Sequence, residues 1–324
     1  TPWGTYLSGE ENWSGYFTRG NTDDNTRGGA TAKSVISLNR YGRTQGAASR
    51  HGWETSGTDD KYARWIITQG LGAATADYRN EMNTFGYMVE IDPYDKTAAI
   101  RKRTTLGRFA HESGVFGKVT EGKPLAVYMG DDSRGEYIYK FVSAAKWDPA
   151  DAKPANRLAA GDKYLDKGTL YVARFRGDGT GEWLELSMNN PVIAGSSYFE
   201  FKSDADVAIF TRLAADAVGA TKMDRPEWGG VNPKNGEVYI TLTNNSNRTP
   251  ASADAANPRA YNDMKAGKEQ KGNVHGHIVR LAEKNPADAA FNWDIYLYGF
   301  LAMPLMVGQF RYQVTSVAST CQPS

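Results

Sequence analysis

The sequence predicts an all-β protein, mainly strands with a few helices, arranged as a β-propeller. Its 324 residues include 34 glycines, 18 tyrosines and 8 tryptophans, which is typical of turn-rich β proteins with aromatic rings between their sheets. Short stretches of β-branched and aromatic residues recur between Gly, Asp, Asn and Pro. Four of these stretches resemble one another and begin at residues 86, 136, 169 and 237. Their spacing is irregular, but its scale is that of a propeller blade of about 40–50 residues with inserted loops.

The predicted strands share turn residues at both ends and a high content of Val, Ile, Leu, Tyr and Phe. In chain order they cover residues 86–92, 125–129, 136–142, 169–175, 182–186, 237–242, 277–281 and 292–298.

One helix is predicted over residues 203–219, because Ser203 can cap its start, apolar residues recur at helical spacing, and Gly219 ends it. Residues 12–32 and 246–272 are polar and rich in Gly, Asn and Asp, which predicts long loops. The composition changes near residue 300. The predicted organisation is therefore a propeller domain over residues 1–300 and an atypical tail over residues 301–324.

Charge and motifs exclude several classes of protein. Lys and Arg number 38 against 37 Asp and Glu, so a net charge of +1 gives no field that would attract nucleic acid or an anionic membrane surface. No apolar run approaches the ~20 residues that span a bilayer. The single cysteine, Cys321, excludes an internal disulfide framework. The sequence has neither a Gly-x-Ser-x-Gly elbow nor a phosphate-binding loop of the Walker type.

Carboxylates recur in short segments held by glycine or proline, and these are the candidate metal ligands. They include Glu11, Glu112, Asp131 and Glu227. Ca²⁺ prefers six to eight oxygen ligands, which carboxylates at strand ends around a propeller axis could supply. Each pair taken alone also fits a solvated turn, so from the residues the metal site and the turn remain alternatives.

Arg225 precedes Pro226 and lies two residues before Glu227. Proline fixes the local backbone, and strand alternation places Arg225 and Glu227 on one face. A guanidinium binds carboxylate and phosphate equally well. Either an arginine directed at a bound oxyanion or an ordinary ion pair fits this spacing.

Eight segments together resemble the PhoX-type alkaline phosphatases, in the order in which that family has them and over about residues 1–300. They are TPWGTYLSGEEN at 1–12, VEIDP at 89–93, LGRFAHE at 106–112, YMGDD at 128–132, GTLYVA at 168–173, GATKMDRPEW at 219–228, TNN at 243–245 and GHI at 276–278.

The resemblance implies a β-propeller enzyme that releases phosphate from small phosphomonoesters with the help of Ca²⁺ and Fe³⁺. It places the metal-binding carboxylates on Glu11, Glu112, Asp131 and Glu227 and the phosphate-binding arginine on Arg225. It also implies export to the periplasm or beyond. The family has further segments on both sides, including a cysteine iron ligand, that this sequence lacks, which leaves open whether the propeller is complete.

Two other functions fit the same features. A calcium-dependent propeller lactonase or esterase would use similar carboxylates without an arginine for phosphate. A non-catalytic propeller fragment would bind calcium or a partner and turn over no substrate.

Overall fold

The computed structural model of the protein describes residues 1–299. Its strands are β1 Tyr6–Gly9, β2 Met88–Ile91, β3 Arg101–Arg103, β4 His111–Phe116, β5 Pro124–Asp131, β6 Arg134–Glu136, β7 Ile138–Lys146, β8 Gly168–Phe175, β9 Thr180–Glu185, β10 Met223–Asp224, β11 Pro226–Val231, β12 Val238–Leu242, β13 Asp263–Lys265, β14 Lys268–Gln270, β15 His277–Ala282 and β16 Ala290–Tyr298. The α-helices are α1 Asp23–Thr26, α2 Lys33–Arg40, α3 Asp60–Ala63, α4 Arg157–Leu165, α5 Pro191–Ala194, α6 Asp204–Ile209 and α7 Thr211–Ala217.

Nine strands form one antiparallel sheet in the order β11-β12-β15-β16-β9-β8-β7-β5-β4. The sheet curls until its two edges nearly meet. The Ser113 hydroxyl of β4 donates a hydrogen bond of 2.8 Å to the Glu227 carbonyl of β11. Gly130 of β5 also faces β11 closely, since a Cβ built there would lie 2.5 Å from the Pro226 carbonyl oxygen. Only glycine permits such a close approach of two backbones.

The strands alternate between two apolar layers, as a pleated sheet requires. On β5, Ala126 and Tyr128 belong to one buried cluster that includes Ile240 and Val279 from the far side of the sheet, so this cluster fills its interior. The intervening residues face the opposite way and pack with the aromatic side chains and helices outside the sheet. The fold is therefore mainly β and propeller-like, as the sequence predicts.

The predicted strands are all present, with ends shifted by a few residues. The predicted helix is present in two pieces, α6 and α7, which meet at Phe210 with φ −110° and ψ 39°. Ser203 caps α6 by accepting a hydrogen bond from the Asp206 amide. Within residues 1–299, no helix combines the length and hydropathy needed to cross a bilayer. The predicted tail over residues 301–324, with Cys321, lies outside the described residues.

Candidate metal centre

Three carboxylates meet where the end of β1 lies against the start of β4. Glu11 follows β1, Glu112 lies in β4, and Asp132 follows β5. One oxygen from each side chain lies within 4.8 Å of the others. Glu11 and Glu112 are half-buried and Asp132 is buried. Glu11, Glu112, Asp132 and the adjacent Glu227 are called the acidic cluster below.

In the pair Glu10–Glu11, the carboxylate of Glu10 has a structural role. Glu10 accepts hydrogen bonds from the amides of Gly86 (2.8 Å) and Tyr87 (3.0 Å) and from the Lys102 ammonium (2.7 Å). These hydrogen bonds connect the segment that follows β1 to the start of β2 and to β3. Glu11 then extends into the acidic cluster.

In the pair Asp131–Asp132, the first carboxylate likewise has a structural role and the second lies in the acidic cluster. Asp131 is fully buried, where its Oδ2 accepts a 2.8 Å hydrogen bond from Arg212 and its Oδ1 accepts one from the Ala110 amide. Asp131 stands opposite His111 in the β4–β5 ladder, so the two side chains share a face. The next residue along each strand, Asp132 and Glu112, faces the other way, toward the cluster.

Arg225 reaches the cluster from the opposite edge of the sheet. Its Nη2 lies 2.7 Å from Asp132 Oδ2 and 3.1 Å from Glu227 Oε1. The Thr243 hydroxyl donates a 2.6 Å hydrogen bond to the same Glu227 oxygen. Arg225 has φ 54°, a left-handed conformation that costs a non-glycine residue about 1–2 kcal/mol. The fold therefore holds this guanidinium between two carboxylates at the expense of local backbone strain.

The cluster carries more negative charge than its side chains neutralise. Burial, followed by the charges of Glu227 and Asp132, raises the pKa of Glu112 to about 8. Burial and the Asp132 charge also raise the pKa of Glu11. Four carboxylates thus share one guanidinium. An oxygen of Asp132, Oδ1, is buried without a hydrogen-bond partner among residues 1–299.

These groups fit a hard cation. Carboxylate oxygens are the donors that Ca²⁺ prefers, and a cation would supply both the missing charge and a partner for Asp132 Oδ1. Asn12 donates a 2.5 Å hydrogen bond to Glu11, and Thr243 holds Glu227. Such outer contacts orient metal ligands.

Comparison of the sequence with known families matches residues 1–300 to the family described as "Alkaline phosphatase PhoX". The chain belongs to the PhoX family. PhoX alkaline phosphatases are metal-dependent enzymes, in keeping with the acidic cluster. A search of the curated proteins gave no match.

Among solved structures, the chain is similar to Pseudomonas fluorescens PhoX in complex with vanadate, which is a transition-state analogue. The two chains share 38% sequence identity with a TM-score of 0.69. The match covers 92% of this chain and 46% of the Pseudomonas chain. The chain thus spans about half the length of that PhoX structure.

The structure brings together four of the five site residues named from the PhoX resemblance: Glu11, Glu112, Glu227 and Arg225. It places Asp131 away from the cluster, because Arg212 and a backbone amide hold that carboxylate in the core. Asp132 takes its place. Asp132 shares a face with Glu112 and Asp131 does not, which follows from the pairing of β4 with β5 together with strand alternation.

Thr243 and Asn12 are the other residues that sequence reasoning did not assign to the site. Both lie in segments that resemble the PhoX family. Their contacts to Glu227 and Glu11 form only when the chain folds, so spacing alone gives no sign of them.

Proposed function

We propose that this chain hydrolyses phosphomonoesters and releases inorganic phosphate in a metal-dependent reaction. The observation that carries the proposal is the acidic cluster of four carboxylates, two of which, Asp132 and Glu227, contact the Arg225 guanidinium. Membership of the PhoX family and the likeness to a vanadate-bound PhoX support it.

The proposed metal ligands are Glu11, Glu112, Asp132 and Glu227, and the proposed ions are Ca²⁺ and Fe³⁺. Both ions accept carboxylate oxygens. Bound cations would stabilise the negative charge that a phosphate ester concentrates in its transition state.

Arg225 is the proposed phosphate-binding residue. Its guanidinium is half-buried and lies against Asp132 and Glu227, and a guanidinium can donate two parallel hydrogen bonds to phosphoryl oxygens. Its strained backbone and the following Pro226 fix the direction of the side chain, so little order is lost when phosphate binds. Thr243 holds the Glu227 carboxylate, which leaves one Glu227 oxygen for a cation.

The test is to supply the purified chain with Ca²⁺ and Fe³⁺, measure bound metal by elemental analysis, and follow release of p-nitrophenol from p-nitrophenyl phosphate. Arg225→Ala should lower kcat/KM by about 10²–10³, the cost of removing a donor to developing charge. Arg174→Ala is the matched control, since Arg174 is a half-buried arginine that pairs with a carboxylate, Glu182, outside the acidic cluster.

The same variants separate the alternative functions. If Arg225→Ala lowers kcat/KM for phosphate esters only, and aryl acetates and lactones are unaffected or not hydrolysed, the result supports the phosphatase. Equal loss on carboxylic esters would favour the lactonase. Calcium bound without iron, and no turnover of any ester, would favour a binding module and contradict the proposal.

We also propose that the protein acts in the periplasm or outside the cell, on the basis of its likeness to exported PhoX-type phosphatases. Fractionation of the native cells with an antibody to the chain tests this. Recovery from the cytoplasm alone would contradict it.

A further inference from the structure

A tight turn over residues 131–136 links the acidic cluster to Arg225, and it is called the Asp132 turn below. Asp132 lies in this turn, and its amide donates a 3.0 Å hydrogen bond to the Ala110 carbonyl just before β4. β6, at the end of the turn, pairs with β10, and Arg225 follows β10 directly. The side chains meet as well, since Arg225 Nη2 lies 2.7 Å from Asp132 Oδ2. The placement of the turn therefore sets the positions of a proposed metal ligand and of the proposed phosphate-binding arginine.

Two arginines hold the Asp132 turn from the helices outside the sheet. Arg212 of α7 donates two hydrogen bonds to Asp131, from Nε to Oδ2 (2.8 Å) and from Nη2 to Oδ1 (2.5 Å). Its Nε also lies 3.5 Å from Glu136 Oε2, so it bridges the first and last residues of the turn. Arg40, which ends α2, donates two hydrogen bonds to Glu136 and two to Asp216 of α7. Both ends of the turn are thus fixed by guanidinium groups.

Neither guanidinium contacts the acidic cluster directly. Within residues 1–299, the ion pairs of Arg212 and Arg40 involve only carboxylates outside the cluster. Their influence on the geometry of the cluster therefore passes through the backbone of the turn. The Asp131 carboxylate provides the link, because its Oδ1 accepts a 3.1 Å hydrogen bond from the Ala110 amide, while the Ala110 carbonyl holds the Asp132 amide.

The contacts of Arg212 depend on the shape of its guanidinium as well as on its charge. Arg212 is 7% exposed and Asp131 is fully buried. A planar fork can bind both oxygens of Asp131 and face Glu136 at once, whereas a lysine ammonium is a single charged point on a flexible chain. Lysine at this position would keep the charge that a buried carboxylate needs, but it would lose the bridge across the turn. Charge and placement can therefore be separated by experiment.

We propose that Arg212 is a positioning residue of the metal centre, which holds the Asp132 turn where the Asp132 carboxylate can bind a cation beside Arg225. Arg40 supports the same turn at Glu136. The inference rests on the proposed function for the role of Asp132 as a metal ligand. Loss of a contact that orients a metal ligand typically costs about 10–100-fold in metal affinity, and Arg212 acts one residue away from the ligand, so we expect about tenfold.

The test is Arg212→Lys, with Arg19→Lys as the matched control. Arg19 is likewise buried and bridges two carboxylates, Asp23 and Asp24, outside the acidic cluster. Both variants should lose stability in urea, because each loses a buried bridge. Titration calorimetry with Ca²⁺ is done at a temperature where circular dichroism shows both proteins to be folded. The Kd should be about tenfold higher for Arg212→Lys and should change by less than about twofold for Arg19→Lys.

Two further variants extend the test if Arg212→Lys does not fold. Arg40→Lys acts on Glu136 from a less buried position and should raise the Kd for Ca²⁺ by about threefold. Asp131→Asn keeps an oxygen that accepts a hydrogen bond from Arg212, so it should change the Kd by less than Arg212→Lys does.

The outcomes separate this inference from the proposed function. An unchanged Kd for Ca²⁺ in Arg212→Lys and Arg40→Lys would overturn the positioning role. An equal rise in Arg212→Lys and Arg19→Lys would also overturn it, since general loss of stability would then explain both. If Arg212→Lys weakens Ca²⁺ binding, Arg19→Lys does not, and the unaltered chain hydrolyses no phosphomonoester, the proposed function is wrong and the positioning role stands. Absence of Ca²⁺ binding by the unaltered chain would overturn the positioning role together with the proposed Ca²⁺ site.

Discussion

Two acidic regions lie next to each other along this chain and differ in how their negative charges are neutralised. In the first, Asp224 is fully buried, and its Oδ1 accepts hydrogen bonds from Arg248 Nε (2.8 Å) and Asn245 Nδ2 (2.6 Å). Its Oδ2 accepts one from Asn273 (3.0 Å). One negative charge faces one positive charge, and both carboxylate oxygens have partners.

The very next residue, Arg225, contacts the acidic cluster, whose charges are not balanced in this way. Four carboxylates share one guanidinium, and a buried oxygen of Asp132 has no partner within the described part of the chain. We call the Asp224 network closed, because every carboxylate oxygen has a partner, and such a network stabilises the fold. We call the acidic cluster open, because it has unbalanced charge and an unpaired oxygen that a bound ligand could satisfy. The comparison shows that the fully buried Asp224 has its charge balanced by its neighbours, whereas the carboxylates of the acidic cluster, of which only Asp132 is buried, do not.

The largest expected effect falls on the closed network. Arg248→Ala should lower the free energy of unfolding by about 3–5 kcal/mol, because it leaves Asp224 buried without its counter-charge. Urea denaturation at pH 7 measures this. Arg248→Lys is the control that keeps the charge and should lose less. A larger gain in stability from Ca²⁺ in Arg248→Ala than in the unaltered protein would contradict the distinction, since a cation bound only at the acidic cluster stabilises both proteins equally.

Calcium should stabilise the protein through the open cluster. At a free concentration 100 times Kd, binding to the folded state adds about 2.7 kcal/mol to the free energy of unfolding. The rise in Tm with added Ca²⁺ measures it. Asp132→Asn should abolish most of the rise, and Asp131→Asn should retain it in whatever folded protein remains. The reverse result would return Asp131 to the ligand set.

The pH dependence of stability should also come from the open cluster. The pKa of Glu112 is raised from 4.5 to about 8, so the folded, metal-free chain holds a proton that the unfolded chain has released between these values. Stability should therefore fall as pH rises from about 4.5 to about 8, by about 1–2 kcal/mol after solvent screening of this half-exposed group.

Urea denaturation of EDTA-treated protein across this range checks the slope. Glu112→Gln should flatten it, because the amide does not titrate. Saturating Ca²⁺ should also remove it, because a bound cation keeps the carboxylate ionised. If the free energy of unfolding of Glu112→Gln still falls with pH over this range, the pH dependence comes from other titrating groups.

The smallest effect concerns the contact that orients Glu227. Thr243→Val removes a 2.6 Å hydrogen bond, which is worth about 1 kcal/mol, and should weaken Ca²⁺ binding about tenfold. Calorimetric titration with Ca²⁺ measures this. Thr243→Ser keeps the hydroxyl and should restore most of the affinity. Unchanged affinity in Thr243→Val would remove Glu227 from the proposed ligands.

Much of the fold could be predicted from the sequence because strands carry local signals. The alternation and turn residues around β5, β7, β8, β12 and β15 predicted these strands within a few residues. The helix at 203–219 was predicted as one element, whereas the structure divides it at Phe210. There the Thr211 hydroxyl accepts a hydrogen bond from the Arg108 amide, a contact between distant residues that local periodicity does not encode.

Part of the site could also be predicted, because some of its residues lie in recognisable local segments. Glu112, Glu227 and Arg225 stand in segments distinctive enough to be recognised by resemblance. Choosing between Asp131 and Asp132 required knowing which face of β5 meets the core, and that is fixed by pairing with β4.

The sequence by itself determined the strand content, the PhoX family and the chemistry of the candidate ligands, because these follow from local patterns and residue types. Only the tertiary structure decided which carboxylate of each acidic pair faces the cluster and that Arg225 joins it from the opposite edge of the sheet. Each of these depends on contacts between residues far apart in the chain, which form when the curved sheet brings β4 and β11 together.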